Sequence, residues 1–493
     1  MSSAVKRALG VLVLLLLPSR PAVADDLSPE VRAFVKVDAP VVALTHVRVI
    51  DGTGGPARAD QTIVLRKGRI ELLADAAKAV VPKEAQVLEL RDHSVLPGLV
   101  GMHDHLFYTA SLNRDAQGRT PPPGALVDEL AFSAPRLYLA CGVTTLRTTG
   151  SIEPYADLNV RSQIESGKMP GPRIDVTGPY LEGPGTFFPQ MHELTGPDDA
   201  RKLVAYWADL GATSFKAYMH ITRAELGAAI EAAHARGLKV TGHLCSVGYR
   251  EAAALGIDDL EHGPVFADSE LVADKQPDAC PPSASAFAAW AGTEIGSAPV
   301  QDLIHELVAR RVAVTSTLPV FELLVPGRPP LQPRLLEAMA AESRTSYLAQ
   351  RARVHAVGGP PAPPWEALFK KEMQFEREFV KAGGLLLAGP DPTGIGGVLP
   401  GFGDQREVEL LVEAGFTPEE AVRIATRNGA SYLGRADEIG AVAAGLKADL
   451  LVVKGDPSMR IDDLEQVEIV FKDGIGYDPA KLLDSVRGQV GVR

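Results

Sequence analysis

From residue 40 to about 96 the chain reads as short β. Positions 41–50 alternate apolar and polar, Asp51-Gly52-Thr53-Gly54-Gly55 breaks the run, 61–65 resume it, and Arg66-Lys67-Gly68-Arg69 has the make-up of a hairpin turn. The glycine cluster lacks the Lys-Ser/Thr of a phosphate loop and opens no helical pattern, so it is read as a turn. Beyond residue 105 the texture changes to strands and helices in alternation. Apolar runs at 143–149, 173–181, 213–219, 239–245, 257–263, 312–320 and 384–391, with the stretch ending at His105, make eight candidate strands. Ala and Leu at helical spacing fill several gaps, as over 222–236, which Gly237 closes. Eight strands alternating with helices predict an α/β fold, a parallel sheet closed into a (β/α)8 TIM barrel.

Two long interruptions flank the seventh strand, at 264–309 and 322–379, with Pro-rich pieces such as Pro360-Pro361-Ala362-Pro363-Pro364. They are expected to form loops and small helices around an entrance. Thr417-Pro418-Glu419-Glu420 opens a helix with a cap and a first-turn Pro, and after Gly434 the β texture returns at 449–454 and 467–471. The two β-rich ends are expected to pair into a small composite β-sandwich. The expected organisation is a leader at 1–24, one half of that sandwich at 25–96, the barrel at 97–434 and the other half at 435–493. No repeat of the solenoid kind is visible.

The leader is the one segment outside this pattern. Lys6 and Arg7 precede the apolar run Ala8 to Leu17, then Pro18 and the small-residue end Ala22-Val23-Ala24, which is the layout of a secretory signal cut before Asp25. The run is too short to span a bilayer, and no later stretch approaches the roughly 20 apolar residues that a membrane helix needs. The mature chain is therefore expected to be secreted or periplasmic and off the membrane. A net charge of −12 argues against a nucleic-acid partner. Cys141, Cys245 and Cys280 allow one disulfide and leave at least one thiol unpaired, and none has metal-finger spacing.

Chemistry enters at Pro97-Gly98-Leu99-Val100-Gly101-Met102-His103-Asp104-His105, where the two-residue spacing puts His103 and His105 on one side of an extended chain. In a barrel of this kind reactive groups gather at the C-terminal strand ends. Reading those ends in order gives His103 and His105, then Lys216, His243, His262 and Asp391. Each alone has a plain structural explanation, whereas six together form a constellation. Four neutral imidazoles and a carboxylate suit Zn²⁺ or a similar ion. An ammonium would be repelled there, so Lys216 is expected to be neutral and able to take up CO₂ as a carbamate. A carbamate could bridge two divalent ions about 3.5–4 Å apart, whose shared water would ionise near pH 7, with Asp391 moving its proton to the leaving amine.

The motifs on which these residues sit resemble the amidohydrolase superfamily, in its imidazolonepropionase and prolidase-like branch. The resemblance runs in order through Asp51-Gly52-Thr53-Gly54, Leu96-Pro97-Gly98-Leu99, His103-Asp104-His105, Gly142-Val143-Thr144-Thr145, Phe215-Lys216, Gly242-His243, Leu260-Glu261-His262-Gly263, Asp391 and Ala448-Asp449-Leu450. It implies that His103, His105 and Asp391 bind a more buried metal and His243 and His262 a more exposed one, bridged by carbamylated Lys216. It also implies hydrolysis of amides, dipeptides, lactones, cyclic ureas or some esters. An exported member of that branch suggests a dipeptidase, acting on Xaa-Pro or on a dipeptide with a bulky C-terminal residue.

A dipeptidase should hold a free carboxylate, and Tyr218, His220, Tyr180 and Arg147 lie near strand ends where they could do so. Phe187-Phe188 and His192 are candidates for a lid, and Cys245, two residues after His243, either lines the site or packs as a small side chain. The competing readings are a lactonase or aromatic-amide hydrolase with the same metals, and a non-catalytic binding barrel. A small-molecule substrate is expected in the enzymatic readings, and a homodimer is the default assembly.

Overall fold

The structure, a computed structural model, describes residues 27–108, 127–186, 188–356 and 363–491. The leader at 1–24, Phe187 and the start of the Pro-rich run at 360–362 lie outside the described residues.

Eight parallel strands surround the main core: Leu99–Gly101, Val143–Arg147, a third in two pieces (Arg173–Asp175 and Thr177–Leu181), Ser214–Ala217, Lys239–Gly242, Asp259–Glu261, Ala313–Ser316 and Leu386–Ala388. The third breaks at Val176, so its first piece pairs with the second strand and its second piece with the fourth. Closure comes from main-chain bonds between the eighth and first strands: Met102 N–H donates to Ala388 C=O at 2.8 Å and Asp391 N–H to His103 C=O at 3.0 Å. The strands are shorter than their apolar runs. The run 312–320, for instance, ends as strand at Ser316, because Leu318 starts the helix Leu318–Glu322.

Helices wrap the strands where the capping chemistry starts them. Thr222 Oγ1 accepts from Glu225 N–H at 3.2 Å while Glu225 Oε2 accepts from Thr222 N–H at 2.9 Å, opening Arg223–His234. The same reciprocal pair at Thr417 and Glu420 opens Pro418–Arg423, which continues into a π-helical turn, Ile424–Asn428.

The two β-rich ends join one sheet. Its order is Val35–Val37, Ile475–Tyr477, Val467–Lys472, Leu450–Lys454, His93–Pro97, Val41–Val49, Arg58–Arg66 and Arg69–Asp75, with Gln86–Glu89 pairing beside Val41–Val49. Lys67 and Gly68 both have positive φ (51° and 74°), the geometry that a two-residue hairpin between Arg66 and Arg69 requires. Val41–Val49 feeds two cores, its sides exchanging at the irregularity between Leu44 and Val47: Val42, Leu44, Val47 and Val49 pack with Leu450, Val452 and Phe471, while Val41 and Ala43 pack with Val64 on the other face. Asp449 fastens this sheet to the barrel. Its C=O accepts from Gly98 N–H at 2.8 Å, and its carboxylate accepts from Arg173 at 3.0 Å and from Asp473 N–H at 2.7 Å.

Candidate metal centre

The first barrel strand stops at Gly101, and the next residues turn away from it. Asp104 N–H donates to Arg147 C=O and His105 N–H to Tyr138 Oη, each at 3.2 Å. The His103 and His105 rings then meet edge to face, 5.2 Å between centroids. His243 and His262 are each the first residue past their strand, Lys216 lies inside the fourth, and Asp391 lies three residues beyond the eighth. His262 (φ 75°) and Asp391 (φ 49°) occupy the left-handed region, a strain of about 1–3 kcal/mol each for residues with a Cβ.

These side chains converge. One ligand atom each from His103, His105 and Asp391 lies within 4.8 Å of the others. Asp391 Oδ1 is 3.3 Å from His105 Nε2 and 3.8 Å from His103 Nε2, and Lys216 Nζ is 3.0 Å from His103 Nε2. His262 Nε2 faces His243 Nδ1 at 2.9 Å, and His262 Nδ1 lies 3.9 Å from Asp391 Oδ2. The far ring nitrogens are held from behind: His103 Nδ1 by Glu261 Oε2 at 2.7 Å, His105 Nδ1 by Gly150 C=O at 3.2 Å and His262 Nδ1 by Thr317 Oγ1 at 2.8 Å. This leaves the inward nitrogens of His103 and His105 as lone-pair donors.

Burial sets the protonation. It drives His103, His105 and His262 below the ordinary imidazole range and His243 to about 3, with the Lys216 charge adding to the effect. Burial also brings the Lys216 amine down to about 8. Burial raises Asp391, yet His103 and His105 outweigh it and hold the carboxyl well below its usual range. Neutral imidazoles and an ionised carboxylate are the donor set that a first-row divalent ion takes, and the 3.3 Å edge between Asp391 and His105 matches tetrahedral ligands with bonds of about 2.0–2.1 Å. The residues fit the metal that their types suggest.

Comparison with known proteins bears on the fold and the C-terminal part of the chain. The Amidohydrolase family pattern matches residues 403–476. The imidazolonepropionase of Parabacteroides distasonis is 44% identical over 66 residues, which is 13% of this chain and spans only 16% of that protein. Among solved structures, a candidate prolidase from Bifidobacterium longum superposes with a TM-score of 0.62 at 25% identity, over 91% of this chain and 99% of that one. These matches support a likeness to the amidohydrolase superfamily. A Xaa-Pro dipeptidase solved with methionine bound shares the fold, with a TM-score of 0.64 at 21% identity over 89% of this chain and 100% of that one.

Around the centre the residues suggested for substrate separate into groups. Tyr180 and Tyr218 do flank it: their rings meet at 4.9 Å and lie 5.4 and 5.9 Å from Lys216 Nζ. His220 stands at the rim, its N–H donating to Glu182 Oε1 at 2.7 Å and its Nδ1 3.3 Å from Glu182 Oε2. Arg147 lies in the barrel interior. It is buried beneath His103 and donates from Nε and Nη2 to Met102 C=O, Thr149 Oγ1, Asp259 and Glu261, while Nη1 has no hydrogen-bond partner among the described residues. His192 is turned outward to Asp199, 2.9 Å away, and so does not close the site. Phe188 packs with Met191 and Tyr218 against Phe107, Val127, Ile152 and Tyr180, giving the site an apolar wall. Phe107 stacks on His105 at 4.3 Å, and Phe321 meets His262 at 5.5 Å from the opposite side.

Cys245 is neither a lining group nor a packed thiol, because it is bonded to Cys280, with Cα atoms 5.0 Å apart, while Cys141 is a buried free thiol. Sequence reasoning gave no role to Glu261, Phe107 or Phe321. For Glu261 a signal was present: Asp259 and Glu261 alternate on one side of a strand whose residues are all buried, where acids need partners.

Proposed function

We propose that this chain cleaves C–N bonds of small amides at a centre for two divalent ions, as an exported prolidase-like dipeptidase. The observation that carries the reading is the convergence of His103, His105, Lys216, His243, His262 and Asp391 at one end of the barrel. His103, His105 and Asp391 would hold one ion, His243 and His262 the other, with Lys216 as its carbamate between them, and zinc suits the donor types. When bound, such ions supply Lewis acidity and make water ionise near neutral pH.

The chain's own groups do the rest. Asp391, ionised and fixed between His103 and His105, accepts the proton of the attacking water and returns it to the leaving nitrogen. Tyr218 and His220, on the loop after the fourth strand, are placed to meet a substrate carboxylate. The apolar wall of Phe107, Tyr180 and Phe188 excludes water and takes an apolar side chain. That wall, with Phe321 opposite, favours as a second reading an aromatic amide or lactone on the same centre. The Cys245–Cys280 bond supports an oxidising compartment, and no helix among the described residues is long and apolar enough to cross a membrane.

Elemental analysis of purified chain, with Lys216→Ala beside it and a panel of dipeptides, aryl amides and lactones, tests the proposal. About two ions per chain, their loss in Lys216→Ala and turnover of Xaa-Pro or apolar dipeptides are expected. One ion retained by both proteins removes the bridging role, turnover confined to lactones or aryl amides moves the substrate class, and no ion with no turnover overturns the reading.

A further inference from the structure

Beneath the centre, inside the barrel, lies a polar cluster built on Glu261 and Arg147. Glu261, the last residue of the sixth strand, is wholly buried, with Oε2 2.7 Å from His103 Nδ1. Its Oε1 accepts from Arg147 Nη2 at 2.9 Å and from Thr241 Oγ1. Arg147 ends the second strand and also donates from Nη2 to Asp259 Oδ2 and from Nε to Met102 C=O, both at 2.8 Å. Thr315 Oγ1 holds Asp259 from the far side at 2.9 Å. The aromatic ring of Tyr432 closes the cluster, 5.4 Å from the guanidinium carbon. One guanidinium thus faces two carboxylates in an interior sealed from solvent, and four strands fix their spacing.

We propose that Glu261 and Arg147 are positioning residues of the metal centre. Glu261 fixes the tautomer and ring angle of His103, so that Nε2 is the nitrogen offered to the ion. Arg147 locks Glu261 in that pose and supplies the counter-charge of the pair of acids. The inference rests on the metal-centre reading above. An imidazole rotates freely unless its second nitrogen is held, and a carboxylate there both orients the ring and makes it a better donor. The carboxylate has the same freedom in turn. With Oε1 engaged by Arg147 and Thr241, only Oε2 is left to face His103. A planar guanidinium can grip Glu261, Asp259 and the Met102 carbonyl at once, which the point charge of a lysine cannot.

The test is metal retention against a competing chelator, read by elemental analysis on zinc-loaded full-length chain. The proteins are wild type, Glu261→Gln, Arg147→Met, Arg147→Lys and Thr241→Val. Removing such a partner lowers metal affinity about 10–100-fold. That range is expected for Glu261→Gln and Arg147→Met, with Arg147→Lys between them and wild type, and KM near wild type once metal is saturating. Thr241→Val removes one donor to Glu261 without leaving a buried charge, so it reports the same effect in smaller measure if Arg147→Met fails to fold. Retention within twofold of wild type in both Glu261→Gln and Thr241→Val overturns the inference and leaves the metal-centre reading standing. An Arg147→Met protein with unchanged retention and a raised KM overturns it in favour of a substrate contact. A wild-type chain that takes up no metal overturns the metal-centre reading and this inference with it.

Discussion

Opening the Cys245–Cys280 bond is the perturbation whose size the structure states most directly. The bond closes a loop with a sequence separation of 35 residues, for which the chain-entropy relation gives about 3.8 kcal/mol of stabilisation. At the usual entropy of unfolding per residue, a chain of 493 residues converts that into about 4 °C of Tm. The bond has local company. Arg223 grips Asp278 through Nε and Nη2 at 2.9 and 3.0 Å, and Lys275 Nζ donates to Ser246 C=O at 2.6 Å, so the loop stays folded over the barrel when the sulfurs part. The expectation is therefore a protein that remains folded on reduction and alkylation, with Tm lower by about 4 °C and new protease cuts confined to 268–282. Cys280→Ser should behave alike, while Cys141→Ser should leave the reduction-dependent shift intact, because Cys141 takes no part in the bond. Differential alkylation with peptide mass spectrometry, followed by calorimetry with and without reductant, reads all of this. An unchanged Tm and cleavage pattern after complete reduction would refute the reasoning, as would recovery of Cys245 and Cys280 as free thiols from oxidised protein.

Asp473 should give the acid limb of stability its own step. Burial raises its carboxyl, but Lys472, Arg173 and Lys447 outweigh this and hold it well below the ordinary carboxylate range. A depressed carboxyl adds stability above its unfolded pKa of about 3.9 and loses it as pH falls through the folded value, so Asp473→Asn should cost about 1.5–3 kcal/mol near pH 6 and progressively less towards pH 2 in denaturant titrations. A cost that stays constant over that range would disprove the electrostatic origin. Gly389→Ala places a Cβ 2.1 Å from the main-chain nitrogen of His103, which cannot yield as a side-chain tip could. It should destabilise by about 1–3 kcal/mol and weaken metal retention together, and a variant that holds metal as wild type does would show that the strand gives way without moving His103.

What could be read in advance was whatever repeats or caps locally. The alternation of strands and helices, the hairpin at Lys67-Gly68 and the capping pairs Thr222/Glu225 and Thr417/Glu420 are short-range signals, and the elements lie where those signals fall. The barrel and the sheet shared by the two ends followed from counting such runs and noting where β texture returned. The residues brought together at the centre could be named because each stands at a strand end. Strand lengths were overread, since apolar runs such as 312–320 continue into buried helical turns. The role of Arg147 depends on which way a side chain leaves the barrel's axis, and the pairing of Cys245 with Cys280 depends on a loop folding back across the barrel. Neither leaves a periodic trace. His192 was misplaced for the same reason, because Asp199 claims it from the start of the next helix.

The sheet that interleaves both ends of the chain dictates an order of events during synthesis. Val35 lies opposite Tyr477, and His93–Pro97 has Leu450–Lys454 as its antiparallel neighbour, so strands made first wait for partners made last. Until a ribosome has delivered those partners, the core of Val49 and Val95 lacks Leu450, Val452 and Phe471, and Gly98, which leads into the first barrel strand, lacks the Asp449 carbonyl that receives its N–H. A nascent chain that stalls short of Leu450–Lys454 therefore has every residue of the metal centre and a seam it cannot close.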